Sequence, residues 1–443
     1  MIDLVELGRK AIEAAISEGA EQADVCVVLA RVIAITVERG GIKLCDTTYD
    51  HGIGVRAYFK GGMGFASSQR LDLDSAIRAG VNAAKQAKQA QPDPDFVSLP
   101  EPKKAPFTLE LCDKEIMEME VERMVELTCE MIDAAKVSND IIVNGGASCS
   151  YYRRAIINSL GVEVESEGTS INFSAFCIVK KGDDVGSYYE WDAGRRLKDV
   201  DPVRVGREAG EVCLKFLGAK KIETKPMTVV FNFLPASSIV SSALAAANAE
   251  SIQRKRSFLM GKLGKKIAPE ILTVYDDGTV NYGLRSSVYD GEGVPKRRIC
   301  VIEKGVLKTY LHNSYTANKA KVENNACAVR GYGGPPGIGF SNVQISLGDW
   351  SLDEMIEETK EGIFIKAGWI GADPVTGSIS TSIDFGFKIE NGEIAYPIKG
   401  ALIGGNILEM LANIDAISKE YREEPGNIFP AIRVKNVKIA GGK

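Results

Sequence analysis

Leu4, Val5, Leu7, Ala11, Ile12, Ala15 and Ile16 recur at helical spacing and predict a helix over residues 2–18, which Gly19 is placed to end. From Val25 to Val37 the pattern changes to a Val- and Ile-rich run that reads as a strand. Gly52 to Ser68 holds two short extended runs around Gly61-Gly62 and predicts a hairpin. Asp72 or Asp74 is placed to cap a helix reaching about Gln91. Beyond it Pro92, Pro94, Pro100, Pro102 and Pro106 crowd together and mark a linker, because proline lacks the N–H that a helix or central strand needs.

A second block opens with a helix near Asp113, along which Ile116, Met124, Leu127, Met131 and Ala135 keep an apolar stripe. Five extended runs follow, at 141–150, 153–157, 162–167, 171–180 and 185–191, with short Gly- or Asp-containing turns between them, as in an antiparallel meander. Pro202 suits the first turn of a helix running to about Leu217. The third block starts with a strand at 227–233 and a long helix from Pro235 into Arg254-Lys255-Arg256. After it the pattern is mainly β, with hairpins at Lys304-Gly305 and Asn391-Gly392, a short helix at 406–417 and a closing strand at 432–439. Segregated runs of helix and strand predict an α+β fold and not a doubly wound sheet. The expected division is 1–106, an N-terminal α+β domain; 107–222, a helix-meander-helix block; and 223–443, a β-rich C-terminal domain.

Composition narrows the chemistry. Lys and Arg number 54 against 59 Asp and Glu, a net charge of -5, which argues against a dominant nucleic-acid-binding role. The 9 cysteines never form Cys-x-x-Cys, so neither a disulfide framework nor a cysteine zinc knuckle is indicated. The acidic start Met1-Ile2-Asp3-Leu4-Val5-Glu6 does not read as a signal peptide, and polar residues interrupt the apolar stretch 231–249, so a cytoplasmic protein without a membrane span is expected. Only 2 histidines, His51 and His312, are present, which leaves few ways to build a zinc or a Ser/Cys–His site from this chain alone.

Three constellations stand out, each with a plainer reading beside it. Residues 330–339 are glycine-rich, but no Gly-Lys-Ser/Thr follows and the next run is extended, so a loop touching a substrate, or simply a flexible one, fits better than a phosphate site. Asp276-Asp277-Gly278 and Asp290-Gly291-Glu292-Gly293 bring four carboxylates close in sequence, as oxygen ligands, as an acid/base pair or as turn chemistry. Arg254, Lys255, Arg256, Lys262, Lys265 and Lys266 form a basic cluster that suits an acidic partner or a solvated helix end. Cys149 and Cys177 fall in extended runs and read as small apolar groups.

The segments Tyr275-Asp276-Asp277-Gly278-Thr279, Tyr289 to Pro295, Val301 to Leu307, Ile389 to Glu393 and Ile403-Gly404-Gly405-Asn406 occur in an order that resembles the TldD/PmbA family, once labelled modulators of DNA gyrase. Gly52-Ile53-Gly54-Val55-Arg56 and Gly62 to Ser67 extend the likeness over essentially the whole chain. The resemblance implies a cytoplasmic zinc metallopeptidase acting on unfolded polypeptides, in which a TldD-type and a PmbA- or TldE-type subunit pair around an internal chamber. It also implies that the zinc sits on a His-Glu-x-x-x-His helix of the TldD type. The matching stretch here, Ser238 to Asn248, contains no histidine. The expectation is therefore a PmbA/TldE-type subunit with no catalytic residues or metal of its own, partnered by a zinc-bearing TldD-type chain or by a second copy. Asp277, Asp290, Glu292 and Asn406 are candidates for shaping the chamber, and Gly333 and Gly334 for contacting peptide or partner. An autonomous hydrolase with a non-histidine site and a non-enzymatic peptide-binding adaptor are the alternatives.

Overall fold

The computed structural model describes residues 3–442. Its first half is built twice from one pattern of helix, three strands and helix. In the first copy α1 (Leu4–Ser17) precedes β1 (Gln22–Glu38), β2 (Gly41–Phe59), β3 (Gly62–Ser68) and α2 (Leu73–Gln89). In the second, α3 (Lys114–Met117) and α4 (Val121–Ala135) precede β4 (Ile141–Asn158), β5 (Glu163–Lys181), β6 (Asp184–Gly194) and α5 (Pro202–Lys215). The copies share one antiparallel sheet in the order β3-β2-β1-β4-β5-β6, joined where β1 pairs with β4 from Asp24↔Asn158 to Val37↔Gly145. The proline-rich linker therefore runs beside a continuous sheet.

Side-chain alternation decides which face is covered. Odd-numbered residues such as Val25, Ile53, Cys149, Ile171 and Phe173 are buried beneath the helices. Cys149 and Cys177 are packed there, and burial pushes their thiols up to about 11 and about 12. On β4 and β5 the even face stays half-buried and polar, with Ser150 Oγ 2.8 Å from Ser170 Oγ and Asn172 Nδ2 donating to Ser148 Oγ at 2.7 Å. Each helix pair meets at a glycine. A Cβ on Gly80 of α2 would lie 2.1 Å from the Ala11 carbonyl oxygen of α1, and one on Gly206 of α5 would lie 2.0 Å from that of Met131 in α4.

The caps follow the sequence signals. Asp72 accepts from Ser75 N at the start of α2, and Asp201 accepts from Arg204 N ahead of Pro202. Two expectations are corrected. The five runs of the meander are three strands, because Tyr151-Tyr152 continues β4 and Gly168 sits inside β5, where a Cβ would meet Arg195 Nη1 at 2.5 Å. A glycine that reads as a turn is instead making room for a guanidinium.

The third block is a larger, mixed sheet. Its strands are β7 (Lys225–Phe231), β8 (Val274–Asp277), β9 (Arg298–Glu303), β10 (Val306–Leu307), β11 (Ala328–Val329), β12 (Gly337–Ile338), β13 (Asn342–Ile345) and β14 (Glu361–Ala367). They continue as β15 (Ser378–Ser382), β16 (Phe385–Glu390), β17 (Glu393–Pro397), β18 (Leu402–Asn406), β19 (Ile414–Glu424) and β20 (Asn427–Ala440). The main path runs β10-β9-β8-β13-β20-β7-β14-β16-β17, parallel only at β13/β20 and β7/β14, with β11 and β12 paired apart. Asn391 (φ 54°) and Gly392 (φ 83°) turn β16 into β17, and Lys304 (φ 45°) and Gly305 (φ 76°) turn β9 into β10, as expected of turns with two left-handed residues. The long helix expected from Pro235 is two, α6 (Phe233–Ala246) and α7 (Ala249–Gln253). The break has a tertiary cause: Leu311 N donates to Ala247 O at 2.9 Å and Ala249 N to Leu311 O at 3.0 Å, so a distant strand segment captures the backbone at Asn248. The α+β class holds. Among the described residues no helix is long and apolar enough to cross a membrane.

Candidate functional site

Asp290 and Glu292 belong to a buried cluster where the third block meets the first sheet. Asp24 of β1 and Arg56 of β2 stand opposite each other on the face away from the helices. Arg56 Nε donates to Asp24 Oδ1 at 3.1 Å and Arg56 Nη2 to Glu292 Oε1 at 3.0 Å, while Arg330 Nη1 lies 2.9 Å from Asp24 Oδ2. That last contact is an ion pair without hydrogen-bond alignment, which leaves Arg330 Nε and Nη1 unbonded. All four side chains are at most 5% exposed. Burial alone would raise the Asp24 carboxyl; Arg330 and Arg56 outweigh it and hold Asp24 below its ordinary value. A buried pair is held in place by such mutual compensation, since removing one member strands the other charge.

A second layer lies just beside it. Asp290 accepts from Glu292 N (2.8 Å), Val294 N (3.0 Å) and Ala328 N (3.1 Å), a turn that fixes the Glu292 backbone. Burial, and then the Glu292 charge, push the Asp290 carboxyl upward. Asp276 accepts from Ser341 N at 2.6 Å and is raised to about 6 by burial against the opposing pull of Lys296. Lys296 Nζ donates to Ser341 Oγ at 2.9 Å. Asp277 points to a different task, accepting from Thr279 N and lying 3.5 Å from Arg298. Asn406 takes no part: it caps the helix at 407–412 by accepting from Leu408 N and donates to Thr376 O. His312 is buried with Nδ1 3.2 Å from Thr316 Oγ1, and burial lowers its pKa, keeping the ring neutral.

The glycine-rich loop is a strap from β11 to β12. Tyr332 lies across β2, with its hydroxyl donating to Asp50 Oδ1 at 2.6 Å. A Cβ on Gly52 would meet the Tyr332 ring at 2.3 Å, and one on Gly54 the Tyr332 carbonyl oxygen at 2.1 Å. Gly333 and Gly334 have nothing within 4 Å of where a Cβ would stand, so they form the free crest of the strap. Sequence reasoning missed Asp24, and it named Arg56 only within the family likeness and Arg330 only as the start of the glycine-rich loop, with no ionic role for either. The available signal was an acidic residue, Asp24, between Ala23 and Val25 in an otherwise apolar run, which calls for a buried cation.

A cleft of about 1030 Å³ opens between α5 and β6 on one side and α6, β14 and β19 on the other. Its walls are tied by Lys366 Nζ to Glu208 Oε1 (3.0 Å) and Arg422 Nη1 to Glu190 Oε1 (2.8 Å). Asn232, which enters α6 without capping it and instead donates from Nδ2 to Lys366 O at 3.1 Å, borders this cleft.

The middle of α6 faces a different way, with Ser241 and Ser242 half-buried and Ala245 exposed. Zinc with an open position for water takes three protein ligands from His, Asp, Glu or Cys. Helix α6 offers hydroxyls, and three of the four donate to its own carbonyls: Ser237 to Leu234 O (2.8 Å), Ser238 to Pro235 O (2.7 Å) and Ser242 to Ser238 O (2.9 Å). Its residues do not fit a zinc ion. Among the described residues no group of three or more His, Cys, Asp or Glu is placed to hold a metal.

The doubled helix-and-sheet module carrying a β-rich third domain defines a known class. Residues 23–88, 114–216 and 224–441 match, in order, domain 1, the central domain and the C-terminal domain of PmbA/TldA metallopeptidases. An uncharacterized protein of Methanocaldococcus jannaschii is 30% identical over 96% of both chains. The metalloprotease PmbA of Escherichia coli O157:H7 is 27% identical over 100% of this chain and 98% of its own length. The crystal structure of TldE from Thermococcus kodakarensis superposes with a TM-score of 0.89 at 27% identity, covering 98% of this chain and 99% of that one. The chain belongs to the PmbA/TldD metallopeptidase family.

Proposed function

We propose that this chain is a PmbA/TldE-like subunit of a cytoplasmic metallopeptidase complex that degrades or processes unfolded polypeptides, with the zinc carried by a TldD-type partner. The observation that carries the reading is α6: where the resemblance calls for a metal-binding helix, this chain has a serine- and alanine-rich one with no His, Cys, Asp or Glu, three of whose hydroxyls bond its own backbone. Its contribution is then positional. The half-buried hydroxyl and amide face of β4 and β5 supplies donors and acceptors that an extended peptide can exchange for water, which lowers the cost of holding substrate near another subunit's catalytic centre.

Two measurements test this. Elemental analysis of the chain purified alone, under reducing and chelator-free conditions, is expected to find near-zero zinc, and the chain alone is expected to leave an unfolded casein substrate uncut. Adding a His-Glu-x-x-x-His-bearing relative from the same cell is expected to produce chelator-sensitive hydrolysis that exceeds that of the relative alone. About one zinc per chain, or chelator-insensitive turnover by this chain alone, would favour an autonomous hydrolase and sink the proposal.

A further inference from the structure

The basic cluster after α7 is a built surface. The segment 254–266 carries Lys255, Arg256, Lys262 and Lys265, none of which has an ion-pair partner among the described residues, whereas Arg254 and Lys266 are neutralised by Glu250 and Glu270. Between these free cations stand Met260 and Leu263, each 50% exposed. The loop is held in this shape from beneath. Ser257 Oγ donates to Ala246 O (2.6 Å), Tyr310 Oη to Leu259 O (2.9 Å), Gly264 N to Leu307 O (2.8 Å) and Leu307 N to Lys265 O (3.1 Å), so its end is tied to β10 by an antiparallel bridge at Lys266↔Val306. Leu259 is fully buried as its anchor. Left-handed backbone at Gly261 (φ 70°) and Gly264 (φ 73°) turns Met260 and Leu263 outward.

The loop also forms a ridge between two hollows. Leu263 borders one of about 580 Å³, and Lys262 borders another of about 450 Å³. Half-exposed apolar side chains on a fixed ridge, ringed by free cations on a chain whose net charge is -5, make a surface whose complement is acidic. A fixed relief of ridge and hollows suits a folded protein face better than a fluid lipid surface. Phe258, the only aromatic ring of the segment, packs against the core of the third block, so no base-stacking platform is offered.

We infer that the ridge at 255–265 is the docking surface for a folded protein partner whose face carries carboxylates around an apolar hollow. Taking that partner to be the zinc-bearing subunit rests on the function proposed above. Met260 and Leu263 then act as anchors, and Lys255, Arg256, Lys262 and Lys265 set orientation and association rate.

The test uses the full-length chain and a purified His-Glu-x-x-x-His-bearing relative from the same cell, with affinity measured calorimetrically at low and high salt. Leu263→Asp and the pair Lys262→Glu/Lys265→Glu are each expected to weaken binding at least tenfold. Wild-type affinity is expected to fall with salt, and that of the lysine pair variant to depend on it far less. Lys198→Glu, an exposed lysine in the second block, is the control and is expected to bind as wild type. All altered side chains are at least partly exposed, so melting temperatures should stay at the wild-type value and exclude unfolding as the cause. Wild-type binding that both ridge variants retain would overturn the inference and leave the proposed function standing. Absence of wild-type binding would overturn both. Loss of binding to phosphatidylglycerol vesicles, with subunit affinity unchanged, would assign the ridge to a membrane surface and overturn it as well.

Discussion

Arg56 Nη2 lies 3.0 Å from Glu292 Oε1, a contact that spans 236 positions of sequence and bolts the first sheet to the third block. Glu292 also accepts from Ser314 N at 2.8 Å on its other oxygen, so each oxygen holds one partner. Glu292→Ala leaves a buried guanidinium with one carboxylate where it had two, and is expected to cost about 3 kcal/mol in urea denaturation, the range for breaking a buried pair. A loss below about 1 kcal/mol would show that Asp24 alone neutralises Arg56.

The strap depends on two glycines. Gly54→Ala would drive a methyl group to 2.1 Å from the Tyr332 carbonyl oxygen, which is backbone and cannot swing aside as a side-chain end can. The expected outcome is a displaced strap, read as faster limited proteolysis within 330–337. Tyr332→Phe, which loses the hydroxyl's bonds to the exposed Asp50 and to Gln69, is expected to cost about 1 kcal/mol or less and to leave the cleavage rate near wild type. Equal protease resistance in Gly54→Ala and wild type would mean that the strap is not seated as described.

Acid stability should show opposing windows. Asp276 is raised to about 6 in the folded chain, whereas an unfolded aspartate titrates near about 3.9. Between these values the folded state holds a proton that the unfolded state has released, so this group makes the protein less stable as pH rises from about 4 through 6. Asp24, held below its ordinary value, works the other way: its stabilisation is present above about 3.9 and is lost as pH falls through its folded value. Thermal denaturation of Asp276→Asn across pH 4–7 is expected to show a shallower decline toward neutrality than wild type, the remainder belonging to Asp290, which is raised in the same direction. Parallel profiles for the two proteins would refute the assignment.

Lys366 bridges the cleft to Glu208. Burial raises the Glu208 carboxyl, but Lys366 and Arg204 outweigh it and keep it lowered. Lys366→Met is expected to move the Glu208 titration upward in an NMR experiment and to cost about 1 kcal/mol at neutral pH, since both side chains are only partly buried. An unmoved titration would show that Arg204 and Arg422 carry the effect.

Much of this architecture was legible because it is local. Asn391-Gly392 and Lys304-Gly305 supply left-handed turns that any strand pair would accept, and Asp72 and Asp201 cap helices through bonds three residues away. What escaped is set from far off. Gly168 interrupts no strand because Arg195 needs its space, and α6 ends because Leu311 captures the backbone after Ala247. The candidate residues divide on the same line. Asp290 and Glu292 are brought together, although Asp290 acts through turn bonds readable from Asp-Gly spacing while the partner of Glu292, Arg56, has no neighbour in sequence to betray it. Asn406 is a helix cap, an ordinary use of asparagine that its motif conceals.

All four long helices of the doubled module lie on one face of the six-stranded sheet, and the ionic bolt and the Tyr332 strap cover one end of the other face. The serines and asparagine of β4 and β5 are thus left half-buried, with Ser150 bonded to Ser170 and Asn172 to Ser148 and with acceptor sites still open. A peptide drawn over such a surface trades equivalent partners at every step, gaining and losing little. On the function proposed above, the face would serve a bound peptide as a bearing more than a grip, holding it along its length without favouring any one register.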